Sequence, residues 1–230
     1  MKKKCNIYFS MLLMAMLCLS SCIKSRYDYA PLFPAIPTMD MATKYVNETF
    51  DAVAKVDGQM LQPPPGWSNF AVSGVRAFQT GVLAIKGKTV MRSVMGTGYL
   101  SADTVNDFWL MMPPLDVSDS TSRLTFQAGL TYDNASTTLS IVYSDRYSGG
   151  TDTFDPNEWK ELITVNVPAT SSGPVEMVQH PPISLYGLGG NRNVVYVAFR
   201  YRSVVSLESI AEDNAKRANY YIDNVVFRRK

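Results

Sequence analysis

Few residues of this chain could carry out catalytic chemistry. Asp155 and Glu158 are the best candidates, because a glycosidase needs two carboxylates, but a three-residue spacing in a proline-containing loop does not define their separation. His180 is the single histidine, so a catalytic triad or a histidine metal site has one imidazole to draw on. It precedes Pro181 and Pro182, in a stretch typical of a turn. We therefore predict that the protein is not an enzyme and has no catalytic residue.

The cysteines lie near the amino terminus, and one of them has a distinctive setting. Cys22 ends the segment Leu19-Ser20-Ser21-Cys22, which follows Lys2-Lys3-Lys4 and an apolar run over residues 7–19. That run falls short of the roughly 20 residues that span a membrane and matches the core of a signal peptide. The order of charge, apolar core, small residues and cysteine resembles a bacterial lipoprotein signal. We predict that cleavage removes Cys5 and Cys18 and that Cys22 is lipidated.

This interpretation divides the chain into a signal peptide at 1–21, the lipidated cysteine with a proline-rich tether at 22–44, and one domain at 45–230. Cleavage takes three of the 22 basic residues and leaves 19 against 20 acidic ones, a net charge of about −1. That charge does not favour nucleic acid as a partner. An aspartate directly after the lipidated cysteine would resemble a signal for retention in the inner membrane, but this position is Ile23. We predict an outer-membrane lipoprotein of a Gram-negative bacterium, held by its lipid on either the periplasmic or the surface face.

The domain reads as a series of short β-strands. Leu124, Phe126 and Ala128 alternate with polar residues, as a half-buried strand requires. Similar runs recur between glycine, proline, asparagine and aspartate residues, which is typical of an all-β sandwich of two antiparallel sheets. The predicted strands cover residues 89–95, 108–112, 123–130, 138–144, 159–167, 194–201 and 219–227.

One segment departs from the β pattern. Leu207, Ile210 and Ala211 have helical spacing, and the pairs Glu212 to Lys216 and Asp213 to Arg217 are four residues apart. We predict a short helix over 206–218, inserted before the last strand.

Several segments occur in a characteristic order along the domain. They are Glu48-Thr49-Phe50-Asp51, Gly66-Trp67, Trp109-Leu110-Met111-Met112-Pro113 leading to Leu115-Asp116, Leu139-Ser140-Ile141-Val142-Tyr143-Ser144, Trp159, Ile183-Ser184-Leu185, Tyr196-Val197-Ala198-Phe199-Arg200-Tyr201 and Tyr221-Ile222-Asp223-Asn224-Val225. Together they resemble the choice-of-anchor J family, whose members are relatives of cleaved-adhesin domains with a jelly-roll sandwich similar to that of MAM domains. The resemblance covers residues 48–227 and implies a jelly-roll fold and a non-catalytic binding or adhesive module.

The resemblance also implies a structural calcium ion that pins the first strand to the last. The matching oxygen ligands are Glu48, Asp51 and Asp223, with Asn224, backbone carbonyls or water completing the shell. Residues three apart on a regular strand point to opposite faces, so Glu48 and Asp51 can bind one ion only where the strand ends or bulges. The alternative is that all three are ordinary strand-end or turn carboxylates.

Sugar binding needs exposed aromatic platforms beside polar groups. Tyr143, Tyr147, Trp159 and Tyr186 are the candidate ligand-binding residues, because they lie near predicted strand ends or loops. Trp67 and Trp109, in contrast, are assigned to the core.

These observations predict a lipid-anchored module of the cell envelope that recognises a glycan or a protein partner without catalysis. Two alternatives are open. One is a structural accessory subunit of an envelope complex, and the other is a glycoside-directed hydrolase that uses Asp155 and Glu158.

Overall fold

The computed structural model describes residues 42–53, 57–85, 88–99, 101, 103–132, 136–149, 154–171, 174–205 and 218–229. These residues form strands, turns and two short 3-10 helices, Pro156–Glu158 and Gly190–Arg192. In chain order the strands are β1 (Tyr45–Glu48), β2 (Ser68–Ser73), β3 (Gln79–Ile85), β4 (Lys88–Thr97), β5 (Val105–Met111), β6 (Leu115–Asp116), β7 (Arg123–Thr131), β8 (Thr137–Ser144), β9 (Lys160–Thr164), β10 (Ala169–Thr170), β11 (Val178–Gln179), β12 (Ile183–Ser184), β13 (Val194–Val204) and β14 (Asn219–Arg228).

The strands of the described residues pair into two sheets. The first sheet has the order β10-β7-β14-β4-β3, with β1 paired to β14 and with β11 and β12 paired to β7. The second sheet has the order β2-β5-β13-β8-β9, with β6 paired to β13. The long strands run antiparallel to their long neighbours. Each sheet has an inner face toward the other sheet and an outer face away from it.

Alternation along the strands builds the main core between the two inner faces. In β7 the residues Leu124, Phe126 and Ala128 point inward, as the sequence pattern predicts. From the second sheet Phe199 meets Phe126 edge to face, with ring centroids 5.2 Å apart. Burial of such side chains is the main favourable contribution to folding.

The last strand joins the first strand to the rest of the first sheet. One edge of β14 pairs with β4 over Asn219–Ile222 and with β1 over Val225–Arg228. Its other edge pairs with β7, with a register shift between Asp223 and Val226. Asn224 lies within this shift and has a φ of 50°, a left-handed conformation that asparagine tolerates better than most residues.

The all-β sandwich and the seven predicted strands are confirmed, with ends that differ by a few residues. Strands β1, β2 and β3 and the two-residue strands were not predicted. The helix predicted over 206–218 lies outside the described residues except for Ala218, and the predicted signal peptide, Cys22 and most of the tether fall on 1–41, which also lie outside them. No helix in the described part of the chain is long and apolar enough to cross a membrane.

Candidate functional site

The outer face of the second sheet carries the most distinctive surface of the protein. Core residues Phe108 and Leu110 point inward from β5, so Trp109 between them points outward. The strand register places Phe70 of β2 on one side of Trp109 and Arg200 of β13 on the other. A row of aromatic and polar side chains thus crosses the sheet.

A second, smaller apolar cluster lies on this outer face. Tyr147, Phe154 and Trp159, from the segment that joins β8 to β9, cover the aromatic residues of the sheet. Trp109 meets Trp159 edge to face at 5.2 Å between ring centroids, and Tyr147 meets Tyr196 at 4.8 Å. We call this set the aromatic cluster, and it consists of Phe70, Trp109, Tyr147, Phe154, Trp159 and Tyr196.

Phe154 lies at the centre of the aromatic cluster. Its ring centroid is 4.9 Å from that of Phe70, 5.1 Å from that of Trp109, 5.9 Å from that of Tyr147 and 5.8 Å from that of Trp159. The first three contacts are nearly perpendicular, the edge-to-face geometry that aromatic rings prefer. Phe154 is half-buried, whereas the four surrounding residues are buried.

The aromatic cluster encloses three polar groups that no described residue satisfies. They are the Nε1 atoms of Trp109 and Trp159 and the hydroxyl of Tyr196. A buried donor without an acceptor costs about 1–3 kcal/mol, although an indole N–H that points at a ring recovers a small part. Burial raises the pKa of Tyr196 to about 12, against a smaller opposing effect of the Arg192 charge.

A strip of polar side chains borders the aromatic cluster on the same face. The Arg200 guanidinium lies 4.9 Å from the Trp109 ring and forms two hydrogen bonds to the buried Asp107 carboxylate, at 2.9 and 2.5 Å. Ser140 donates to Glu161 at 2.9 Å. We call Asp107, Thr138, Ser140, Glu161, Arg200 and Arg202 the polar strip. Arg202, Thr138 and Glu161 are exposed and leave the strip open to solvent.

The predicted aromatic platforms are only partly placed as expected. Tyr186 is 56% exposed, but Tyr147 and Trp159 are buried in the aromatic cluster, so the expectation that these two are exposed is wrong. Tyr143 is half-buried, packs against the main core and has Lys160 Nζ 5.6 Å from its ring. No observation tests whether these residues touch a ligand.

The two tryptophans that were predicted to lie in the core are found in two different clusters. Trp67 packs in the main core, whereas Trp109 is fully buried in the aromatic cluster on the outer face. Sequence reasoning missed Trp109, Phe70, Phe154 and Tyr196 as site residues. Strand β5 is apolar on both faces over residues 108–111, so its sequence held no signal for the face that Trp109 takes.

The carboxylates considered for catalysis lie in an exposed turn. Asp155 precedes the 3-10 helix Pro156–Glu158, and its Oδ1 accepts hydrogen bonds from the Asn157 backbone N–H and Nδ2, both at 2.9 Å. Glu158 is exposed. His180 is half-buried and stacks on Phe126 at 4.9 Å. Asp155 therefore has a capping role that accounts for its position.

Two of the predicted calcium ligands lie near the end of β1. Glu48 is two residues from the core residue Val46 and shares its inward-facing side of the strand, and its Oε1 accepts a hydrogen bond from the Phe50 amide at 2.6 Å. The Asp51 side chain is exposed, and its carbonyl accepts a hydrogen bond from Arg92.

The third predicted ligand points the other way. Asp223 follows the core residue Ile222, so its side chain lies on the outer face of the first sheet, where it is buried beside Asn224. In the described residues, no group of three or more acidic, histidine or cysteine side chains is placed to hold a metal ion. Glu48, Asp51 and Asp223 therefore do not fit one calcium site together, and calcium binding stays an untested prediction.

Comparison with known proteins supports the fold. No protein-family model and no curated protein sequence matches this chain. Among solved structures it is similar to the K1 cleaved adhesin domain of Lys-gingipain from Porphyromonas gingivalis W83, with 17% identity and a TM-score of 0.53 over 82% of this chain and 99% of that domain. The K3 domain of the same protein matches with 17% identity and a TM-score of 0.54 over 80% and 98%. The domain therefore has a cleaved-adhesin-like jelly-roll fold, as the sequence resemblance predicts.

Proposed function

We propose that this protein is a lipid-anchored, non-catalytic binding module of the cell envelope that recognises a glycan or a protein partner. The observation that carries the proposal is the fold shared with cleaved adhesin domains over about four-fifths of the chain and nearly the whole of each domain. The predicted lipoprotein signal supports the address, which we propose is the outer membrane of a Gram-negative bacterium.

The polar strip offers the surface for this recognition. Arg202 faces Asp107 across one strand pair and Thr138 across the other, so cationic, anionic and hydroxyl groups lie side by side. Glu161 extends the strip onto the edge strand β9. A surface on which donors and acceptors are neighbours suits a ligand rich in hydroxyl or amide groups. The strand framework beneath it keeps these groups in a fixed arrangement.

The test combines a glycan array with affinity capture of envelope proteins on the purified full chain. We expect Arg202→Ala to weaken capture of the bound ligand at least tenfold, because Arg202 is exposed at the centre of the strip. Arg228→Ala removes an arginine that is also exposed, but on the first sheet, and is the matched control, which should bind normally. Equal binding by the two variants would place the site elsewhere, and no ligand in either assay would refute the function.

A structural accessory subunit is the second candidate. Val75 is 67% exposed and Tyr99 is 47% exposed, and Arg76 joins their two loops through a 2.7 Å hydrogen bond to the Tyr99 carbonyl. Exposed apolar side chains in adjoining loops favour a protein partner. A scaffold would be captured with protein but would retain no glycan.

The hydrolase alternative has its own assay. Activity on a glycan substrate that disappears in Glu158→Gln or Asp155→Asn would support it. Activity that survives both changes would exclude this pair of carboxylates.

A further inference from the structure

We propose that Phe70, Trp109, Tyr147 and Trp159 form a pocket for one sugar ring and that Phe154 occupies this pocket in the absence of glycan. The inference rests on the proposed function and specifies the ligand class and the site. Phe154 contacts all four rings, so it fills a space bounded by aromatic side chains on several sides. A space of that kind accepts one ring-sized group.

The polar groups around the pocket show that a phenyl ring is an incomplete occupant. Trp109 and Trp159 contact Phe154 and expose only 0 and 8% of their surface, and neither indole N–H has a hydrogen-bond partner among the described residues. Buried polar groups in native proteins are almost always hydrogen-bonded. The Phe154 ring packs against the aromatic walls of the pocket, but it has no oxygen or nitrogen atom that could accept a hydrogen bond from these groups.

A pyranose ring matches both sets of requirements. Its C–H faces pack on aromatic rings, whose faces are electron-rich, and its hydroxyl and ring oxygens accept hydrogen bonds. An apolar side chain of a partner protein would leave the same donors unsatisfied. The observations therefore favour a sugar over a hydrophobic peptide.

The surroundings of the pocket suit a longer glycan. Arg200 stacks on Trp109 at the edge of the pocket and bonds Asp107 within the polar strip. One sugar unit of the glycan would displace Phe154, and the neighbouring sugar units would extend along the polar strip. The aromatic cluster and the polar strip would then act as one binding site.

The decisive variant is Phe154→Ala, which removes the internal competitor. Calorimetric titration of the full chain with cellotriose, xylotriose, galactotriose and chitotriose should show a Kd at least tenfold lower for this variant than for the wild type with at least one sugar. Adding Trp109→Phe, which keeps an aromatic ring but deletes the Nε1 donor, should raise the Kd of Phe154→Ala about tenfold. N-acetylphenylalanine amide, a phenyl probe, should bind either variant more weakly than the sugar.

Leu162→Ala is the matched control, because Leu162 is also a half-buried apolar residue but packs on the main core. It should lower the thermal midpoint without raising sugar affinity. If Phe154→Ala does not fold, Phe154→Leu, which keeps more apolar volume, should give a smaller gain in affinity. Unchanged or weaker sugar binding by the Phe154 variants overturns the inference, as does a preference for the phenyl probe. Failure of the proposed function itself would instead appear as a wild type that captures neither glycan nor protein.

Discussion

Tyr196 shows how a single polar atom can limit the stability of an aromatic cluster. Its ring packs against Tyr147, and its hydroxyl lies buried without a partner among the described residues. Burial disfavours the charged phenolate and raises the pKa from 10.0 to about 12. The native state therefore holds this proton to a higher pH than the unfolded chain does.

The pH dependence of Tyr196→Phe follows from this shift. A group with a raised native pKa contributes stability that is fully present below the unfolded pKa of about 10 and is lost as pH rises toward the native value of about 12. We expect the wild type to lose on the order of 2 kcal/mol between these limits through this group and Tyr196→Phe to avoid that loss. Denaturant unfolding at a series of pH values measures it.

Tyr186→Phe is the matched control, because it makes the same change at an exposed tyrosine. It should follow the wild-type profile. Near neutral pH, Tyr196→Phe should be at least as stable as the wild type, since it removes an unsatisfied hydroxyl. A large loss of stability near neutral pH would show that the hydroxyl has a partner.

At the scale of elements, the outer face of the first sheet is also covered. Val175 and Met177, in the segment between β10 and β11, pack against Leu83 and Tyr221. They approach β7 at Gly129, where an added Cβ would lie 2.7 Å from Met177 Sδ and 2.7 Å from Val175 Cγ1. Glycine at this position lets the covering segment lie directly on the strand.

Gly129→Ala tests this close approach. The new methyl group must displace the covering segment, so we expect a loss of about 1–3 kcal/mol in the free energy of unfolding. Met177→Ala in the same chain should relieve part of the overlap, which would make the double variant more stable than the sum of the single losses predicts. Additive losses, measured by denaturant unfolding, would show that the two positions are not coupled.

The predicted calcium ion would lie where β1 pairs with β14. Strands β1 and β14 pair over four residue pairs, and the predicted ligands Glu48 and Asp223 point to opposite faces of the sheet. We therefore expect the same thermal midpoint with millimolar calcium and with chelator. A midpoint that calcium raises, and that Asp223→Asn makes independent of calcium, would instead establish a bound ion.

Strands were predicted correctly where apolar and polar residues alternate over a long run. They were missed where contacts with other parts of the fold determine the residue type. In β3, Gly81 interrupts the apolar pattern, and glycine normally weakens a strand. The structure supplies the reason for it, since an added Cβ would lie 2.9 Å from Ser93 Oγ and 3.2 Å from Tyr221 Cδ1. The two-residue strands contain no period to detect. The aromatic cluster was not predicted, because Phe154 is distant in sequence from the sheet residues of the cluster and contacts them only in the folded protein.

At the scale of the whole molecule, the predicted tether and anchor determine how the binding face would be used. Residues 23–44 separate Cys22 from β1. Such a segment would reach roughly 30 Å as a flexible coil and about 70 Å if extended. Many copies held in one membrane could engage a repetitive glycan together, so that weak single sites would produce strong adhesion.

Cys22→Ser tests this organisation. We expect it to abolish incorporation of labelled palmitate and to release the protein from the membrane fraction, because the predicted acceptor thiol is gone. Cys18→Ser changes a second cysteine within the predicted signal peptide and should be labelled and retained like the wild type. The free Cys22→Ser protein should keep the glycan affinity of a single site, measured by calorimetry, but lose the avidity that membrane-held copies show on a glycan-coated surface. Palmitate labelling that persists in Cys22→Ser would move the anchor elsewhere in the chain, and an unlabelled wild type would remove the anchor from the proposed function.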